Sequence, residues 1–104
     1  RAERFGPTSF LGLLTVSSRD NTLPGKKQLQ EGMRHLKQIL LSDLRKGDAI
    51  TEWSESQFLL SLYSTSVEQA EVPLKRVQKK FLEQSPVSEL VLNYQIMNTL
   101  PQDP

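Results

Sequence analysis

The segment Ala49 to Tyr63, AITEWSESQFLLSLY, decides the fold. Ala49–Trp53 and Gln57–Tyr63 both have strand composition, and only Ser54, Glu55 and Ser56 stand between them. A link that short joins neighbouring antiparallel strands, so the segment reads as a hairpin. In its second arm Phe58, Leu60 and Leu62 point one way, and Leu59, Ser61 and Tyr63 the other. The first arm has the polar character of a sheet edge.

Upstream of the hairpin the apolar period changes. Leu29, Met33, Leu36, Leu40 and Leu44 form one stripe of a helix over Lys26–Leu44. Lys27, Glu31, Arg34, Lys37 and Asp43 occupy its other sides, and Lys46-Gly47 is the stop signal after Arg45. Before that helix, Ser9–Ser17 (SFLGLLTVS) is a mostly apolar run of strand length. Gly12 costs stability there and allows close packing. The connection SRDNTLPGKK carries turn chemistry at Asp20-Asn21 and Pro24-Gly25.

Downstream, Ser66 and Gln69 make a capping box that opens a second helix. Val67, Ala70, Leu74, Val77 and Phe81 are its expected buried stripe, and Glu71 and Lys75 are spaced for an i,i+4 pair. Pro73 is expected to kink or restart this helix, and Gln84-Ser85-Pro86 ends it. Glu89–Met97 is the last strand, with Leu90, Leu92, Tyr94 and Ile96 on one face; the tail LPQDP is expected to fray.

The order is βαββαβ, the ferredoxin-like α+β arrangement. Two helices then cover one face of a four-stranded antiparallel sheet, and right-handed crossovers set the first and third strands side by side at its centre. A chain of 104 residues makes one such domain. It has no cysteine, so disulfides and thiolate metal sites are excluded. The net charge of +1 gives no footprint for nucleic acid. No apolar run approaches the ~20 residues of a membrane helix, and the start RAERFGPTSF has no long apolar core, so no signal peptide is expected there. A chain that starts at Arg1 is expected to be a fragment of a longer one.

The stretch LRKGDAITEWSESQFLLSL resembles the diguanylate cyclase (GGDEF) segment. That segment reads arginine, two residues, aspartate, five residues, then Gly-Gly-Asp/Glu-Glu-Phe. Arg45 and Asp48 stand at the RxxD spacing, Ala49–Trp53 are the five spacers, and Ser54–Phe58 fills the GGDEF slot. LLTVSSR sits where cyclases have a strand ending in Asp-x-Asp. The residues LRKGD, S-x-S-Q-F and LKRVQKKF are similar to the C-terminal domain of bacterial transcriptional activator (BTAD-type) regulators. That resemblance implies a degenerate cyclase-like domain at the C-terminal end of a multidomain regulator.

Nucleotide cyclisation needs a divalent cation held by carboxylates. Ser17 and Ser56 stand at the positions of the metal-binding acids, Gln57 replaces the other acid of the turn, and Ser54 and Glu55 replace the glycines that let backbone approach a nucleotide. Asp20, Glu52 and Glu55 are the remaining acids near the slot. No catalytic residue, metal site or cofactor is therefore assigned, and the domain is expected not to be an enzyme. Ser17, Ser18, Ser54 and Ser56 lack a nucleophile motif.

Arg45 and Asp48 are a candidate cyclic di-GMP site, because in cyclases this pair is inhibitory and an arginine grips phosphate or guanine bidentately. Their structural reading is a helix end, with Arg45 on the last carbonyls, followed by a turn. His35, the sole histidine, reads as a helix-surface residue. Lys75, Arg76, Lys79 and Lys80 read as a solvated face. The βαββαβ order is shared with RNA-recognition modules, but QFLLSLY lacks their stacking aromatics. Trp53, Tyr63 and Tyr94 are a candidate docking patch. The expected role is thus regulatory and cytoplasmic: contact with other domains of the parent regulator or with a dimer mate, without direct nucleic-acid or membrane contact.

Overall fold

The computed structural model describes residues 8–45, 47–85 and 89–98. Lys46, Pro86 and the tail at 100–104, all of which carried expectations, lie outside the described residues. The elements are β1 (Thr8–Ser18), α1 (Lys26–Asp43), β2 (Ala49–Ser54), β3 (Gln57–Ser64), α2 (Val67–Gln84) and β4 (Leu90–Asn98). Every expected element is present, with ends within about two residues.

The chain is an α+β fold of ferredoxin-like order, two helices on one face of a four-stranded antiparallel sheet. The strand order is β2-β3-β1-β4, so β1 and β3 are central and β2 is an edge. Outside the end of the β2–β3 hairpin, pairing keeps parity. Even residues oppose even ones, as in Phe10↔Leu62, Gly12↔Ile96 and Ile50↔Leu60, while odd residues oppose odd ones, as in Leu13↔Leu59 and Leu11↔Met97. The even residues Leu14, Val16, Phe58, Leu60, Leu62, Leu90 and Leu92 are buried with the helix stripes in one core cluster. Each such leucine contributes about 1.5–3 kcal/mol by leaving water.

Glycine sets how closely the helices approach. A Cβ on Gly12 would lie 3.1 Å from Leu74 Cδ1, so β1 receives an α2 leucine where its side chain is missing. A Cβ on Gly32 would lie 2.5 Å from Leu90 Cδ1, so α1 settles onto β4 through a glycine that the apolar period does not mark.

Several expectations change. α1 stops at Asp43, and Leu44 is its extended C-cap and only partly buried. Ile39, absent from the expected stripe, is buried. Val67 is exposed, because the first residue of α2 precedes the turn that meets the sheet. Ser66 does cap α2, accepting from the Gln69 backbone N at 3.1 Å. α2 runs through Pro73 without restarting, although the missing N–H leaves the Gln69 carbonyl without its intrahelical donor.

His35, expected on the helix surface, is half-buried. Its ring lies 5.8 Å from that of Phe81, between the helices, and its Nε2 is buried without a hydrogen-bond partner. Burial pushes its pKa below the ordinary value. Asp43, expected on the outer side of α1, is 7% exposed and joins the helices: Lys80 Nζ donates to its Oδ1 at 2.7 Å and Arg76 Nε to its Oδ2 at 3.2 Å. Burial alone would raise the Asp43 carboxyl, but the hydrogen bonds and charges of Lys80 and Arg76 outweigh it and hold the carboxyl below its usual range. Lys75 Nζ also lies 3.9 Å from Glu71 Oε1, the expected i,i+4 pair, so three of the four bases of the α2 cluster are paired rather than simply solvated.

Candidate functional site

The hairpin turn is held by its own side chains. Register slips between Glu52 and Ser54, which pair with the adjacent residues Phe58 and Gln57, so Trp53 is the extra residue of a β-bulge. The bulge brings Ser54 to the odd face opposite Gln57. Ser54 Oγ donates to Gln57 Oε1 at 2.9 Å, and Gln57 Nε2 donates to Thr15 Oγ1 at 3.2 Å. Ser54 Oγ also accepts from the Ser56 backbone N at 3.3 Å, and the Ser56 carbonyl accepts from Val16 N at 2.9 Å. The S-x-S-Q pattern thus builds a hydroxyl–amide chain across β2, β3 and β1. Gln57 is tied into the face of the sheet that carries neither α1 nor α2.

On the other face, α1 and the hairpin bound an open groove of about 520 Å³, lined in part by Arg34, Lys37, Glu52, Glu55 and Phe58. Its two cations come from α1 and its two carboxylates from the hairpin, so it has no net sign to select a polyanion. Asp20 is elsewhere: it accepts from Thr22 Oγ1 at 2.7 Å and Thr22 N at 3.2 Å, and these bonds hold its carboxyl below the usual range. It borders a separate depression with Ser18, Arg19 and Glu89. Ser17 is an odd residue paired with Val91, and its buried Oγ has no hydrogen-bond partner. Among the described residues no three acidic or imidazole side chains converge as a metal site would require.

The RxxD spacing has a local cause. Asp48 N donates to the Arg45 carbonyl at 3.0 Å, closing a four-residue turn with Gly47 at φ 100°, where glycine carries no steric cost. Positions one and four of such a turn are neighbours. Asp48, its side chain 4% exposed, accepts from Arg45 N at 3.2 Å, and its Oδ2 lies 3.5 Å from Arg45 Nε. Arg45 is 63% exposed, yet its Nη2 donates to the Tyr63 carbonyl at 3.0 Å rather than to the last carbonyls of α1. The pair therefore fastens the α1–β2 turn to the end of β3.

The aromatic patch is dispersed. Trp53 is 60% exposed at the bulge and Tyr63 52% exposed at the far end of β3, six residues beyond Gln57 and roughly 20 Å along the strand. Tyr94 is an even residue on the helix face, half-buried, with its hydroxyl 3.4 Å from Glu71 Oε2. Burial, then the Glu71 charge, raise the Tyr94 pKa. Leu13 and Leu59, which sequence reasoning did not select, lie between Trp53 and Tyr63 on the open face. The alternation that pointed Leu59 away from Phe58 and Leu60 was the available signal.

The chain matches no family model and no curated protein. Among the described residues no helix is long and apolar enough to cross a membrane.

Proposed function

We propose that this chain is a non-catalytic regulatory domain of a bacterial transcriptional regulator, a degenerate GGDEF-like module that works in the cytoplasm by contact with protein. The observation that carries this reading is the fate of the hairpin turn. Ser54 bonds to Gln57 and Gln57 in turn to Thr15, so the slot that would bring acids to a metal is spent on holding the sheet face. The same fate meets the nucleotide-sensor alternative, in which Arg45 and Asp48 hold cyclic di-GMP. Asp48 is nearly covered and occupied by Arg45 N, and the guanidinium already serves Tyr63. A ligand would have to break these bonds before making its own.

Two measurements test the proposal. Incubation with GTP or ATP and Mg²⁺ or Mn²⁺ is expected to yield no cyclised product; turnover that disappears in Glu55→Ala would overturn the non-catalytic reading. Cyclic di-GMP is expected to leave the melting temperature unchanged. A stabilisation that grows with ligand concentration and vanishes in Arg45→Ala would establish the sensor instead.

A further inference from the structure

The odd-numbered residues of β1, β3 and β4, with those of β2 up to the bulge, lie on the face that neither α1 nor α2 covers. None of them is Asp, Glu, Lys, Arg or His, in a chain of which 24% is charged. The solvent side of an antiparallel sheet ordinarily carries its polar and charged residues. Here Leu13 and Leu59 pair at the middle, Leu11 pairs with Met97 beside them, and Tyr63 and Met97 are 52% and 37% exposed. Hydroxyls and amides finish the surface around this strip, Thr15 and Gln57 already bonded to each other.

We propose that this face is the contact between two copies of the chain, packed sheet on sheet about a two-fold axis. The assignment rests on the protein-interaction reading above and names the partner. In a two-fold interface each patch meets itself. A charged residue near the axis would then face its own sign, whereas a hydroxyl or amide both donates and accepts and can bond to its own copy. A face of leucines, hydroxyls and amides without a single charge is self-complementary. It offers no counter-charge to nucleic acid or to an anionic membrane.

The area sets the strength. Four strands ~4.8 Å apart and about eight residues long at ~3.3 Å each present roughly 500 Å² per copy. Two copies bury on the order of 1,000 Å², the lower bound for a specific interface. The dimer is therefore reversible and concentration-dependent, with the sheets ~10 Å apart and their strands within ~30° of alignment.

Sedimentation equilibrium of the chain from about 1 μM to about 1 mM is expected to show mass rising from monomer to dimer. Leu59→Asp places a like charge on each copy at the middle of the face and is expected to raise the dissociation constant at least about tenfold. Because Leu59 is half-buried, Gln95→Lys, at an exposed odd position of β4, repeats the test with the fold undisturbed; circular dichroism and melting temperature are expected to match the parent. A chain that stays monomeric at about 1 mM, or a dimer indifferent to both substitutions, overturns the two-copy assignment. If the monomeric chain instead binds the other domains of the proposed regulator through this face, and both variants abolish that binding, the two-copy assignment fails and the interaction reading survives. Indifference in both assays sinks both.

Discussion

Leu59 and Leu60 are neighbours in β3 with the same side chain and opposite fates. Leu60 is fully buried beneath the helices, while Leu59 is half-buried on the open face. The whole sheet repeats this contrast. Its central even residues are sealed by α1 and α2, and among the described residues the charges are kept to the helices, the loops and Glu52 at the edge. Its odd residues are left uncovered without being made charged. Burial on the first side explains why the domain folds; the lack of charge on the second is not needed for folding, so it points to a second use.

The largest expected effect tests that division of labour directly. Leu60→Ala opens a cavity under both helices and is expected to cost about 2–5 kcal/mol in urea unfolding. Leu59→Ala at low protein concentration is expected to cost under about 1 kcal/mol, since the half-exposed site already meets water. Equal costs would break the contrast between the faces.

A smaller effect asks what fastens the helix layer. Asp43→Asn removes the charged centre of the Lys80–Asp43–Arg76 cluster. The expected cost is about 1–2 kcal/mol, reduced from that of a buried pair because both cations are substantially exposed. Folding keeps this carboxyl ionised to lower pH than the unfolded chain does. Its contribution is therefore complete above the ordinary carboxylate range and is lost as pH falls through the folded value. Urea titrations down to acid pH are expected to show less acid sensitivity in Asp43→Asn than in the parent.

The smallest effect concerns His35. Burial depresses its pKa below the ordinary value of 6.5, so on acidification the unfolded chain takes up the proton first. Stability is fully present above that value and declines as pH falls through it toward the lower folded value. Unfolding midpoints at about pH 7.5 and about pH 5.5 are expected to separate in the parent and to converge in His35→Leu. A parent insensitive to that interval would return His35 to the helix surface.

The sequence alone determined the element order, because the apolar period switches between two and about 3.6 at turn or capping residues such as Pro24-Gly25, Gly47 and Ser66, and the short S-E-S link separates the two hairpin strands. It also determined which residues of each strand share a face, since alternation is a property of a single strand. What only the tertiary structure decided is whom those residues meet. Asp43, Arg76 and Lys80 are more than thirty positions apart at their ends, and His35 and Phe81 further still. The bulge at Trp53 depends on β3 as much as on β2, and it alone turned Ser54 toward Gln57 and Thr15. Tyr94 had the parity of the buried strand face from the start, but its separation from Trp53 and Tyr63 required knowing which side the helices cover. Local periodicity is written in neighbouring residues, whereas long-range contact is settled only when separate elements compete for the same surface.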